Sequence, residues 1–195
     1  MPTNWEEPFT RFTTLFERAK QSQPKDPNAV TLATVDASGR PSARVVLMKE
    51  VDARGFVVFT NYDSRKGREL LAQKVAALCF YWPSLEQQVR VEGTVEQVSA
   101  AESDAYFATR PRPSQLGAWA SLQSQPLDDR KTLLKRLADL TAKHEGKAVP
   151  RPPHWGGFRI LPERFEFWTA DEYRLHDRWV YEKQADGWAT GALYP

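Results

Sequence analysis

The chain has 195 residues, 41% of them hydrophobic and 27% charged, with 27 basic against 25 acidic side chains. That length fits one domain or two very small ones, and the composition excludes disorder as the main description. A net charge of +2 is too balanced for nucleic acid as a bulk partner, so any anion site must come from local clustering.

Residues 1–8 read as a loose, flexible segment, and Glu6 and Glu7 stand where a signal peptide would be basic and then apolar. From Phe9 the apolar residues Phe9, Phe12, Phe16 and Ala19 recur at helical spacing, and Pro24 and Pro27 end that helix. Ala29 to Val35 is β-branched and apolar, Asp36 to Gly39 is turn chemistry, and Pro41 to Met48 is extended. A second turn at Asp52 to Gly55 precedes a strand over Phe56 to Thr60. Ser64 is a good N-cap for a short helix through Leu71. Val75 to Trp82 and Gln87 to Val98 read as strands, the second with strict alternation. Ser99 to Glu102 is a capping box that opens a helix through Thr109. A further helix spans about Leu127 to Glu145 with a stripe of Leu133, Leu134, Leu137 and Leu140, and Asp128 and Asp129 in its first turn. Pro150, Pro152 and Pro153 make a stiff connector. The remainder reads as three or four strands, with turns at Leu161-Pro162 and Ala185 to Gly187.

Two strand sets flank a helical middle with no Gly- or Ser-rich linker, so residues 9–195 read as a single domain, mainly β with α decoration. The meander pattern is that of an antiparallel sheet or barrel. Seven Trp, six Tyr and ten Phe imply a well-filled core, an interface or a pocket for a flat ligand. The single cysteine, Cys79, excludes an intramolecular disulfide and favours a reducing compartment. No apolar run approaches the roughly 18 residues of a membrane span, so the chain reads as soluble and cytoplasmic, with no membrane partner.

Four constellations could carry chemistry. Arg65, Lys66 and Arg68 fall in the first turn of the Ser64 helix, where the macrodipole disfavours cations unless an anion such as phosphate is present. The bland alternative is a solvated surface helix. Tyr106 and Arg110, four apart on one helix face, with Ser114 beyond, make a phosphate cradle, unless Arg110 only caps its helix. Arg44 and Lys49 bracket an apolar strand and would point to opposite faces unless a bulge intervenes. Arg174, His176 and Arg178 alternate on one strand face and would repel without an anion or aromatic plane above them; His176 is either a proton carrier or a satisfied structural His. His144, His154 and His176 have no ligand spacing, so no metal site is expected. There is no P-loop, nucleophile elbow or dinucleotide glycine motif.

Glu166-Phe167-Trp168, five residues, then Arg174-Leu175-His176-Asp177-Arg178 resembles the C-terminal signature of the pyridoxine (pyridoxamine) 5′-phosphate oxidase family. Arg44 to Lys49, Thr60-Asn61 through Ser64-Arg65-Lys66, Glu86 to Val89, Arg110 to Trp119 and Trp155 to Phe158 follow the family's order. The resemblance covers about Phe9 to the C-terminus. It implies an antiparallel, Greek-key-like, FMN-binding split β-barrel, working as a homodimer with FMN at the subunit interface. It implies FMN contacts from Arg44, Val45, Val46, Leu47, Met48, Lys49, Phe59, Thr60, Arg65, Lys66, Gln88, Gln123, Ser124, Trp168 and Arg178, some through backbone. It implies substrate contacts from Lys49, Tyr106, Arg110, Ser114, Arg174 and His176, the last two catalytic. The activity implied is oxidation of pyridoxamine or pyridoxine 5′-phosphate to pyridoxal 5′-phosphate, with O2 as acceptor and H2O2 released. Two other readings remain: a split-barrel flavin oxidase for another flat substrate such as a phenazine precursor, and a flavin- or pyridoxal-phosphate-binding protein without turnover.

Overall fold

The computed structural model describes residues 6–23 and 25–195. Helix α1 (Glu7–Ser22) begins two residues before Phe9, so Glu7 and Pro8, expected in the loose segment, are its first turn. Proline suits that turn because its missing N–H would have no helical partner there, and Glu7 complements the helix dipole. Residues 1–5 of the expected flexible segment and the expected stop signal Pro24 lie outside the described residues.

Eight strands follow among the described residues: β1 (Ala29–Val35), β2 (Pro41–Asp52), β3 (Gly55–Asn61), β4 (Val75–Trp82), β5 (Gln87–Gln97), β6 (Trp155–Thr169), β7 (Asp177–Gln184) and β8 (Gly187–Ala192). They form one antiparallel sheet in the order β3-β2-β1-β4-β5-β6-β7-β8, and β3 also pairs with β6, from Phe56 opposite Ile160 to Asn61 opposite Trp155. Six strands thus close into a barrel, while β7 and β8 extend the sheet beyond it. Closure leaves no unpaired edge within the six-strand ring.

The period-2 pattern puts Leu32, Leu78, Phe80, Val89, Val91, Phe165 and Phe167 inside, all essentially without solvent contact. Helix α1 plugs one side of this core. Its Phe12 is fully buried and meets Phe56 edge-on at 4.8 Å and Phe80 at 4.9 Å. Truncating such a ring costs about 3–5 kcal/mol. For a chain of this size Phe12→Ala should therefore lower the midpoint of thermal unfolding by roughly 10 °C. A calorimetric shift under about 3 °C would show that α1 is peripheral to the core.

The expected turn at Leu161-Pro162 is not a turn. Strand β6 runs through it for 15 residues, and the Pro signal is absorbed by a bulge. Glu92 faces Arg164 and Gly93 faces Pro162, leaving Glu163 as the extra residue. A Cβ on Gly93 would lie 2.0 Å from the Leu161 carbonyl oxygen, so only glycine allows this close approach.

Among the described residues four more α-helices lie outside the barrel: α2 (Arg65–Gln73), α3 (Ala100–Thr109), α4 (Arg112–Ala120) and α5 (Arg130–Lys143). The Ser99–Glu102 capping box forms as expected. Helix α4 was not expected; Pro111, just past the end of α3, and Pro113 occupy its N-cap and first turn, where their missing N–H groups cost nothing. Helix α5 is shorter than Leu127 to Glu145. It starts where the Asp129 side chain accepts from the Thr132 N–H, so Asp129 is its cap rather than part of its first turn. Its leucine stripe is peripheral: Leu137 and Leu140 pack beside a small cluster of Phe107, Leu116, Val149 and Trp155, while Leu134 is exposed.

Candidate active site

A cleft of about 630 Å³ is lined by Lys49, Thr60, Tyr106, Arg110, Ser114 and Gln123, among others. Lys49 reaches it because of a bulge. Met48 faces Val58 and Glu50 faces Val57, which leaves Lys49 as the unpaired extra residue of β2. Helix α3 supplies Tyr106, whose ring stacks on Phe59 at 4.1 Å, and ends at Arg110, its C-cap. The Arg110 guanidinium lies 4.7 Å over the Trp155 ring, and its Nη1 is buried with no hydrogen-bond partner. Burial pushes the Arg110 pKa down, only partly offset by Tyr106, and burial raises the Tyr106 phenol. A guanidinium in that state is poised for an anion. Ser114 sits in the exposed first turn of α4.

A second cation group lies at the start of α2. The Ser64 hydroxyl caps the helix, accepting from the Gly67 N–H at 3.2 Å while donating to the Asn61 carbonyl at 2.7 Å. Among the described residues Lys66 Nζ donates only to neutral oxygens, Thr60 Oγ1 at 3.2 Å, Gln123 Oε1 at 3.3 Å and Ser64 Oγ at 3.4 Å. Burial and the nearby Arg44 charge push its pKa down. Arg65 Nε is held by Glu69 Oε1 at 2.8 Å. Arg68 turns back to the Asp63 carbonyl. Gln123 is followed by Ser124 in the left-handed backbone region at φ 67°.

The Arg44–Met48 run is split between two faces. Arg44, Val46 and Met48 turn toward the barrel, with Met48 in the core, while Val45 and Leu47 are exposed. Any cofactor contact from Val46 or Met48 is therefore limited to backbone. A bulge does intervene, at Lys49 itself, yet the two cations still serve different groups: Arg44 bonds to Thr34, Ser42 and Glu69, while Lys49 lines the cleft.

A third group is assembled across three strands. Gln88 on β5 faces Trp168 on β6, which faces Arg178 on β7. The His176 ring lies 4.7 Å from Trp168, and the Asp171 N–H donates to its Nδ1 at 3.2 Å, which leaves the neutral ring's proton on Nε2. Arg178 is gripped by Glu166, through Nε at 3.0 Å and Nη2 at 2.9 Å. The expected alternation of Arg174, His176 and Arg178 on one strand face does not occur. Strand β7 starts only at Asp177, because Tyr173 and Arg174 are left-handed, with φ of 54° and 65°. Such strain at consecutive non-glycine residues is a mark of a functional loop. His176 and Arg178 line a second cleft, of about 860 Å³, which shares no lining residue with the first.

The sequence reading missed Glu69, and it quoted Glu166 and Trp155 within family motifs without giving either a role. Glu69 was visible as Arg65 plus four, an ion-pair spacing, while the stacking of Trp155 on Phe59 shows only in space.

The family profile described as pyridoxamine 5′-phosphate oxidase matches residues 16–144. A second, described as the pyridoxine 5′-phosphate oxidase C-terminal dimerisation region, matches residues 155–195. A pyridoxine/pyridoxamine 5′-phosphate oxidase of Myxococcus xanthus (strain DK1622) is 61% identical over 189 residues, 97% of this chain and 92% of that protein. The chain belongs to the pyridoxine/pyridoxamine 5′-phosphate oxidase family. Among solved structures, PhzG from Burkholderia lata 383, in complex with tetrahydrophenazine-1-carboxylic acid, is 36% identical with a TM-score of 0.91, over 96% of this chain and 92% of that one. A pyridoxamine 5′-phosphate oxidase-related, FMN-binding protein from Nostoc punctiforme PCC 73102 shares the fold, with a TM-score of 0.77 at 17% identity over the full length of both chains. These likenesses bear out the split β-barrel. Within the oxidase-family chain, Trp168, Arg174, His176 and Arg178 all lie in the dimerisation region.

Proposed function

We propose that the protein is an FMN-dependent oxidase that converts pyridoxamine and pyridoxine 5′-phosphates to pyridoxal 5′-phosphate, reducing O2 to H2O2. With the alcohol, substrate and O2 give aldehyde and H2O2; with the amine, one water is consumed and ammonia released. The observation that carries this reading is the buried, partnerless Arg110 Nη1 in a cleft with Lys49, Tyr106 and Ser114. Four donors converging there suit a dianionic phosphate better than a single carboxylate, which argues against a phenazine-type acid substrate.

The residues at the α2 start fit a flavin phosphate. Arg44 and Arg65 pair with one buried carboxylate, Glu69, and among the described residues Lys66 has no acid of its own. Thr60, Gln123 and Ser124 border the same place, and the absence of a dinucleotide glycine motif favours FMN over FAD. Bound FMN supplies the redox chemistry, accepting a hydride equivalent from the substrate C4′ and delivering the electrons to O2. The chain's own groups bind and orient. Lys49, Tyr106, Arg110 and Ser114 fix the substrate phosphate. Arg174 and His176 cover the pyridine ring, with the Nε2–H of His176 free to donate to its polar edge. Gln88, Trp168 and Arg178 meet the flavin ring.

Because the phosphate-directed cleft and the His176 cleft share no residue, the reading requires a homodimer in which each site draws on both protomers. A lone cysteine fits a cytoplasmic setting. Incubation with pyridoxamine 5′-phosphate under air, with pyridoxal 5′-phosphate and H2O2 measured together and the released cofactor weighed by mass spectrometry, tests the proposal. Equal formation of both products and an FMN mass are expected. FAD, or flavin without turnover, would sink it.

A further inference from the structure

Glu69 lies on α2 one turn after Arg65 and is only 6% exposed. Its Oε2 accepts from the Thr34 hydroxyl, from Ser42 Oγ at 2.7 Å and from Arg44 Nη2 at 3.5 Å; its Oε1 accepts from Arg65 Nε at 2.8 Å. Burial alone would raise its pKa, but the bonds from Thr34, Ser42 and Arg65 outweigh this and hold the carboxyl below its usual range. It is therefore a fixed anion that ties β1, β2 and α2 together.

Its two arginines are left in different states. Arg44 commits both Nη groups inward, Nη1 to the Leu32 carbonyl and Thr34 Oγ1, Nη2 to Ser42 Oγ and Glu69. Arg65 is gripped only at Nε, and among the described residues neither of its Nη groups has a hydrogen-bond partner. A guanidinium held from the Nε side presents its Nη edge elsewhere, in the fork that suits a phosphate. Lys66, bonded only to neutral oxygens among the described residues, adds a further cation beside this carboxylate, which suits a doubly charged phosphate monoester.

We propose that Glu69 is a positioning residue for the flavin phosphate, holding Arg65 by Nε so that its Nη edge faces the phosphate. This rests on the FMN reading given above. It separates Glu69 from two simpler roles. As a mere negative charge, Glu69 would repel the phosphate, and its neutralisation would tighten FMN. As a mere tie between β-strands and helix, its loss would weaken every flavin alike.

The comparison of FMN with riboflavin, which has the same ring and no phosphate, distinguishes these roles. Dissociation constants of both are measured by flavin fluorescence on the full-length protein stripped of cofactor. Glu69→Gln places an amide N–H2 against existing donors and frees Arg65, so FMN should bind roughly 10- to 100-fold more weakly, the loss of one to two charge-assisted contacts. Riboflavin should change by less than about twofold. Ser42→Ala, at a half-exposed strand position, removes one donor from Glu69 without changing charge and should show the same selectivity at about threefold; it carries the test if the Gln variant does not fold. Tighter FMN binding in Glu69→Gln, equal loss of both flavins, or an unchanged FMN preference in both variants overturns the inference alone. A wild-type protein with no preference for FMN over riboflavin overturns it together with the FMN reading.

Discussion

Arg110→Met should lower kcat/KM for pyridoxamine 5′-phosphate by about 10²- to 10³-fold, the range for truncating one partner of a buried charge pair. Pyridoxamine without its phosphate should be a poor substrate for both enzymes, with little difference between them. Flavin affinity should be unaffected, because Lys66, Arg65 and Ser64, not Arg110, surround the α2 start. Stability should move the other way. In the substrate-free protein Arg110 Nη1 is a buried donor with no acceptor, held over Trp155, and burial already disfavours its charge. Replacing it by an unbranched apolar side chain removes that penalty, so the variant should be as stable as the parent or more so, by about 1 kcal/mol. Loss of function with gain of stability is the mark of a group kept for its ligand. If Arg110→Met unfolded the protein, or left kinetics unchanged, Arg110 would be a helix cap and no more.

Arg174→Ala and His176→Ala should each reduce kcat by about 100-fold, the effect of misplacing the reacting carbon by about 1 Å, while flavin binds within about threefold of normal. Arg174 is in the left-handed turn before β7, and His176, two residues on, is held beside Trp168 by the Asp171 N–H. Lys66→Ala should show the reverse split. Losing one charge-assisted contact should cost roughly 1.5–3 kcal/mol of flavin affinity, with turnover largely restored at saturating FMN. Kinetics at saturating FMN beside flavin titrations separate the two patterns. Normal turnover of His176→Ala once flavin is restored would move His176 from the substrate to the cofactor.

Much of the fold was legible because its signals are local. The capping box at Ser99, the N-cap at Ser64 and the alternation of β5 each formed where the residues put them. Proline misled at Leu161-Pro162, because Pro is tolerable at a bulge; Pro111 does lie just past the end of α3, but with Pro113 it also opens α4, which was not expected. The four constellations were also legible as local clusters of cations in a nearly neutral chain. Their partition was not. Arg44 could only be placed against Glu69 once β2 and α2 were packed, and the strand-face alternation of Arg174, His176 and Arg178 failed because positive φ is invisible in residues other than glycine. Barrel closure through β3 and β6 joins residues about 100 apart, a distance over which sequence periodicity carries no information.

The most direct test of a site built from two protomers is complementation in a defined heterodimer. Arg110→Met and His176→Ala chains carrying different affinity tags are co-expressed, and the doubly tagged dimer is isolated. If each site takes its phosphate cradle from one protomer and His176 from the other, one site carries both substitutions and the other carries neither. The heterodimer should then recover about half the wild-type activity, whereas each homodimer stays near its own residual level. A heterodimer no more active than its parents would place both groups in the same protomer's site and contradict the shared active site.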